Sequence, residues 1–173
     1  MFNKFKKYDG EPTAIGNVLL AWWQGLEEDR AARAILRRAS SPTLVAFTAP
    51  YQRLHRRLQA AGWPVDARPQ DNDRLAAIVG LLAHIKENIS GPVPVAMSLC
   101  NKGEDRPPVS ELRFLRLLDA PDHDALYASL RRVLPLMKHR IDVLALADDL
   151  LYWSDDVKKR WAYGYLWPDK SPA

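Results

Sequence analysis

The chain has 173 residues, 47% of them hydrophobic and 27% charged, with a formal net charge of +4 and one cysteine. That composition suits a soluble globular protein, either one compact domain or two small ones sharing a core, and excludes bulk disorder. The lone Cys100 rules out an internal disulfide and suits a reducing compartment, while the longest nearly uncharged run, Leu75–Ile85, has 11 residues, too few to span a bilayer.

In chain order, the basic start MFNKFKKYDGEP is followed by no apolar segment of the kind a secretory signal needs, so a cytoplasmic protein is expected. Thr13 is a fitting N-cap for a first helix whose stripe is Ile15, Val18, Leu19, Trp22 and Leu26. A second helix is predicted over Asp29–Ala39, with Arg30, Arg33 and Arg37 on one face and Ala31, Ala32, Ile35 and Ala39 on the other. Ser41-Pro42 reads as a cap followed by proline at the first helical position. From Pro50, the residues Tyr51, Leu54, Leu58 and Ala61 repeat at helical steps until Gly62 and Pro64 end the run. The clearest stripe, Leu75, Ile78, Val79, Leu82 and Ile85, predicts a helix from about Asn72 to Ile89.

Four prolines and two glycines then interrupt the pattern between Ser90 and Pro108, which reads as a linker with a short apolar piece at Val95–Leu99. Helices are predicted near Ser110–Asp119, Asp122–His139, Asp142–Trp153 and Ser154–Leu166, with Pro135 kinking or shortening the second of these. No alternating strand pattern is present. The expected fold class is therefore all-α: two packed helical bundles, residues 1–90 and 110–173, joined by a linker at 91–109.

The charge is uneven. From Arg30 to Arg68 there are eight arginines against the single acid Asp66, a local charge of +7, so the rest of the chain sums to −3. Leu126, Leu130, Val133, Leu134 and Met137 form a buried stripe with Arg131 at its edge and Arg132 pointing away. Arg113 and Arg116, three residues apart, are neighbours on one helix surface. Guanidinium stays charged and forks onto phosphate oxygens, so arginines set beside a helical core fit a polyanion-facing side. They fit a solvated surface equally well, with the stems lying on apolar neighbours.

Signals for catalysis are poor. The four histidines are scattered without metal-ligand spacing, and His84 with Glu87 reads as surface placement. Cys100 has no nearby histidine and reads as a small apolar residue. Asp148-Asp149 reads as a polar helix face, and Asp155-Asp156 as a first-turn pair favoured by the helix dipole, rather than as metal ligands. No cofactor, metal or catalytic residue is expected. Trp22, Trp153 and Trp161 fall on apolar stripes and should pack in the core, whereas Trp23 and Trp167 lie off the stripes as candidates for a protein interface.

Several short pieces, in order, resemble the small subunit (CasB) family of the type I-E CRISPR surveillance complex Cascade. They are AWWQ, LRRAS at Leu36–Ser40, PYQRL at Pro50–Leu54, Gly62-Trp63, SELRFLRLL, SLRRVLPL, DVLALADDLLYW and KKRWAYGYL. The resemblance implies a non-enzymatic all-α subunit, usually in two head-to-tail copies along the belly of Cascade. Such a subunit contacts the other Cascade proteins and lines the channel beside the guide RNA and target DNA. It also stabilises the R-loop, including the displaced strand, by backbone charge while base pairing reads sequence. The family's basic positions carry over onto Arg38, Arg113, Arg131 and Arg132. Arg37 and Arg116 are adjacent candidates, and Arg68 and Lys102 lie in loops where the family also places cations. One departure stands out: residues 110–165 hold as many acids as bases, so either few arginines there carry the contact or part of that half faces protein. The competing classes are a helical scaffold or regulator that binds only proteins and, more remotely, an α-helical hydrolase with an aspartate-based metal site.

Overall fold

The structure, a computed structural model, describes residues 3–169. Ten α-helices account for most of them: α1 (Ala14–Gly25), α2 (Arg30–Arg38), α3 (Pro42–Ala46), α4 (Ala49–Ala60), α5 (Pro69–Leu82), α6 (Val93–Ser98), α7 (Glu111–Leu118), α8 (His123–Val133), α9 (Val143–Leu151) and α10 (Asp155–Gly164). The fold is predominantly all-α, as the periodicity predicts. Eight of the helices begin at a Ser, Thr or Asp whose side chain accepts an N–H of the first turn: Thr13, Asp29, Ser41, Thr48, Ser110, Asp122, Asp142 and Ser154. Each such cap contributes about 1 kcal/mol and fixes where its helix starts. Thr48 does more. Its hydroxyl also donates to Val45 O at 2.7 Å, so one residue closes α3 and opens α4, dividing the segment that follows Ser41-Pro42.

Helix α5 is the hub. Every residue from Leu75 to Leu82 is buried, which is what a helix surrounded on all sides requires. It packs against α2 and α3 of the first half and against α8 and α9 of the second, so one apolar core runs through both. Gly80 makes the closest of these approaches possible. A Cβ there would lie 2.6 Å from both the Tyr127 hydroxyl oxygen on α8 and Val45 Cγ2 on α3.

The apolar run does not stay helical to Ile89. Helix α5 stops at Leu82 and a short turn leads into β1 (Glu87–Asn88), which pairs in parallel with β2 (Arg140–Ile141). Two competing partners take the backbone away from the helix. The Trp23 indole donates to Ile85 O at 3.1 Å, and His139 O accepts Lys86 N–H at 2.8 Å. The same bond corrects the expectation for Trp23, which is buried rather than interfacial, because α1 presents apolar residues to both α4 and α9. On α2 the buried residues are Ala32, Leu36 and Ala39, whereas Ala31 and Ile35, assigned to the apolar face by spacing, are exposed. After α8 the chain tightens into a 3-10 helix, Leu134–Met137, holding Pro135, and Lys138 and His139 then adopt left-handed φ values of 55° and 57°. Between the halves, α6 packs on α10, where Pro94 lies against Gly164; Val93 and Met97 are buried and Leu99 is exposed.

Because α5 serves both halves, urea should unfold the chain in one transition, with helical circular dichroism and tryptophan fluorescence coinciding. Gly80→Ala should lower its stability by about 1–3 kcal/mol, the range for overpacking a filled core. Unchanged stability would mean that the α3–α5–α8 crossing is looser than described.

Candidate nucleic-acid interface

The arginine pairs of α2 and α8 meet at one end of the fold. Arg37 and Arg38 occupy the last turn of α2, and Arg131 and Arg132 the last turn of α8. Arg131 Nη2 donates to Arg37 O at 3.0 Å, and the Tyr127 hydroxyl, one turn earlier on α8, donates to Ala39 O at 2.7 Å. The Arg131 guanidinium also lies 5.7 Å from the Tyr127 ring centroid. Two donors from α8 thus satisfy carbonyls that the end of α2 would otherwise leave open.

His84, just past the end of α5, lies beside this junction. It is buried, with no hydrogen-bond partner for Nε2, so its placement on the surface by sequence spacing is corrected. The error follows from the early end of α5, which takes His84 and Glu87 off a common helix. His139 Nδ1 lies 2.8 Å from His84 O. Burial, and then the charges of Arg37, Arg131 and His139, push the His84 imidazole down to about 4. All three of those charged neighbours are basic. Such a place favours an incoming anion.

The other candidates are spread more widely. Arg113 and Arg116 are exposed on α7, which packs on α8 and buries Phe114 and Leu117, the former stacked on Tyr165. Arg68 stands at the opposite end of α5, about 20 Å from its C-terminus by helical rise. Its guanidinium is spoken for, with Nε and Nη2 donating to Asp71 at 3.0 and 3.1 Å. Lys102 is exposed in the turn after Cys100. Sequence reasoning missed Tyr127 and His139, although the four-residue spacing of Tyr127 and Arg131 was a readable signal that they share a helix face.

The Asp148-Asp149 pair weighed as metal ligands has other work. Asp148 and Asp149 are buried rather than forming a polar helix face. Asp148 Oδ1 accepts the N–H groups of Lys4 and Phe5 at 2.7 and 2.9 Å, and Oδ2 that of Lys6 at 3.0 Å, pinning the N-terminal strap. Asp149 accepts from Trp161 Nε1 at 2.7 Å and pairs with Arg160 at 2.6 Å. Lone pairs used this way are unavailable to an ion, and no group of three potential ligands occurs among the described residues. Nor is any described helix long and apolar enough to cross a membrane. Trp63, Trp153 and Trp161 are buried, while Trp167 is 43% exposed.

Two buried groups give stability opposite responses to acid. His84 falls from its ordinary 6.5 to about 4 in the fold, so stability present above pH 6.5 is lost as pH drops towards 4. Burial raises Asp148 from 3.8 to about 6, against its three backbone donors, so the fold gains stability as pH drops through 6 towards 3.8. Each effect amounts to roughly 3 kcal/mol when complete. Relative to the parent, His84→Gln should therefore gain stability between pH 6.5 and 4, and Asp148→Asn should lose it. Urea midpoints across that range test both signs, and parallel pH curves for all three proteins would contradict them.

The family described as CRISPR-associated protein Cse2 matches residues 32–166. The fold is similar to a chain in the crystal structure of E. coli Cascade bound to a PAM-containing dsDNA target, with a TM-score of 0.64 and 21% sequence identity over 85% of this chain and 93% of that one. No curated protein matches the chain. The Cse2 match takes in α2 with its terminal arginines, the whole α2–α8 junction and the C-terminal helices, which is well over half the sequence. This chain belongs to the CRISPR-associated Cse2 family.

Proposed function

We propose that the chain is a non-catalytic subunit of a Cascade complex, binding nucleic acid by backbone charge and stabilising the R-loop formed by guide RNA and target DNA in antiviral defence. The Cse2 match carries this reading, and the E. coli relative of the same fold comes from Cascade held on a dsDNA target. The geometry supports it independently. Arg37 and Arg38 converge with Arg131 and Arg132 from a second helix, and the charged groups that act on His84 between them are all basic. Arg113 and Arg116 extend the surface along α7. Arg68, already paired with Asp71, and the exposed Lys102 are further candidates away from that junction. Recognition of this kind neutralises phosphates without reading bases.

The same reading gives the chain its partners: guide RNA, both strands of the target DNA, the other protein subunits of the complex and a second copy of itself, in the cytoplasm. Residues 1–90 and 110–173 act in it as two helical halves, with 91–109 as their connector. Protein contact has its own support on the C-terminal side. Leu112, Leu115, Tyr163 and Trp167 are exposed there, on the half whose charges balance.

Arg38, Arg113 and Arg132 are exposed on three helices, and none of them takes part in an ion pair with another of the described residues. Replacing all three by alanine should leave folding within about 1 kcal/mol of the parent per residue. The slope of log affinity against log salt should shrink by roughly 1 for each phosphate contact removed. The complex assembled with the variant should lose R-loop stability, measured by gel shift and strand-separation footprinting. Full R-loop formation by the folded variant would refute the assignment, and strong preference for one duplex sequence at fixed salt would refute backbone recognition.

A further inference from the structure

Equal-looking arginines at the α2–α8 junction are held differently. Arg37 and Arg38 are exposed at the end of α2, whereas Arg131 is half-buried against Tyr127 with Nη2 committed to Arg37 O. The end of a helix carries partial negative charge on its last carbonyls, which by itself repels a phosphate. Here Arg131 covers one of those carbonyls, at Arg37, with a hydrogen bond of 3.0 Å, and the Tyr127 hydroxyl covers that of Ala39, the residue just past the helix, at 2.7 Å. Gly80 lets the Tyr127 hydroxyl come this close, since any side chain on α5 at that point would occupy its place.

We propose that the α2–α8 junction anchors one backbone phosphate, with Arg37 and Arg38 binding it and Tyr127 and Arg131 acting as positioning residues that hold and electrically mask the end of α2. The inference rests on the nucleic-acid reading above and adds a division of labour to it. Arg131 acts through Arg37 rather than as a ligand in its own right, and Tyr127, an uncharged and buried residue, matters to binding.

His84 supplies a local readout. The charged groups that bear on it are Arg37 from α2, Arg131 from α8 and His139 from the turn before β2. A phosphate on Arg37 offsets part of the repulsion that disfavours the protonated ring, so the titration of His84 moves upward when the anchor is filled. His123, at the other end of α8, is half-buried and also shifted downward, but its charged neighbours are Arg74, Asp122 and Asp124. It is the internal control.

The test uses the full chain and oligothymidylate, with affinity measured across a salt series and the two imidazoles followed by NMR. Tyr127→Phe should weaken binding about fivefold, the worth of one neutral hydrogen bond, with no change in salt slope. Arg131→Met, which keeps the apolar stem on Tyr127, should also weaken binding without changing the slope, whereas Arg38→Ala should lower the slope by about 1. In the parent, oligothymidylate should raise the His84 titration and leave that of His123 in place. A slope lowered by about 1 in Arg131→Met makes Arg131 a ligand and overturns the division. Unchanged affinity in Tyr127→Phe, alongside weakened binding in Arg38→Ala, overturns this inference alone. Absence of any binding at low salt overturns both it and the nucleic-acid reading. Tyr127→Phe retains the ring that fills the core, so it keeps the proposal falsifiable should Arg131→Met fail to fold.

Discussion

Where α3 and α8 cross α5, Gly80 leaves room for nothing but the side chains of its neighbours, and the rest of the molecule is arranged around that contact. A Cβ at this point would meet Tyr127 on one side and Val45 on the other. The close crossing brings the Tyr127 hydroxyl to the carbonyl of Ala39, just past α2, and so fixes the end of one arginine-bearing helix against the end of another. Interiors packed to crystal density transmit such constraints, because a shift of even one methylene must be taken up elsewhere. The basic surface is thus a consequence of core packing. Exposed arginines on separate, loosely held helices would form no defined site, however many there were.

Much of this was legible in the sequence because the signals are local. Caps such as Thr13, Ser41, Asp142 and Ser154 act within one turn of themselves, and the stripes of α4, α5 and α8 repeat at a spacing that only a helix explains. What the sequence could not show came from contacts between distant segments. The stretch 83–89 continues an apolar helix by pattern, yet its backbone is claimed by Trp23 and by the 139–141 segment. Asp148 and Asp149 look like a polar surface until the N-terminal strap and Trp161 turn out to be their partners. A buried carboxylate with three backbone donors is a folding anchor, and those donors lie more than 140 residues away in sequence.

The candidate site divides along the same line. The motifs of the resemblance single out Arg38, Arg113, Arg131 and Arg132 with Arg37 as a neighbour, whereas the meeting of the α2 and α8 pairs at one junction is a property of the fold. Which arginine is free was hidden, since a guanidinium bonded to a backbone carbonyl leaves no trace in composition. Arg68 is the instructive contrast: its partner Asp71 sits three residues away, so that pairing could have been read directly. The even acid–base balance of residues 110–165 fits a C-terminal half in which a few arginines serve one face while exposed apolar residues serve another.

On the function proposed above, the α2–α8 end of the fold lies against nucleic-acid backbone in the assembled complex. Placing a photoreactive amino acid at Arg38 and irradiating the complex with guide RNA and target DNA bound tests it most directly. Covalent adducts to nucleic acid are expected, lost when the target is omitted if the contact is with DNA and retained if it is with guide RNA. Adducts formed only with protein subunits would contradict it.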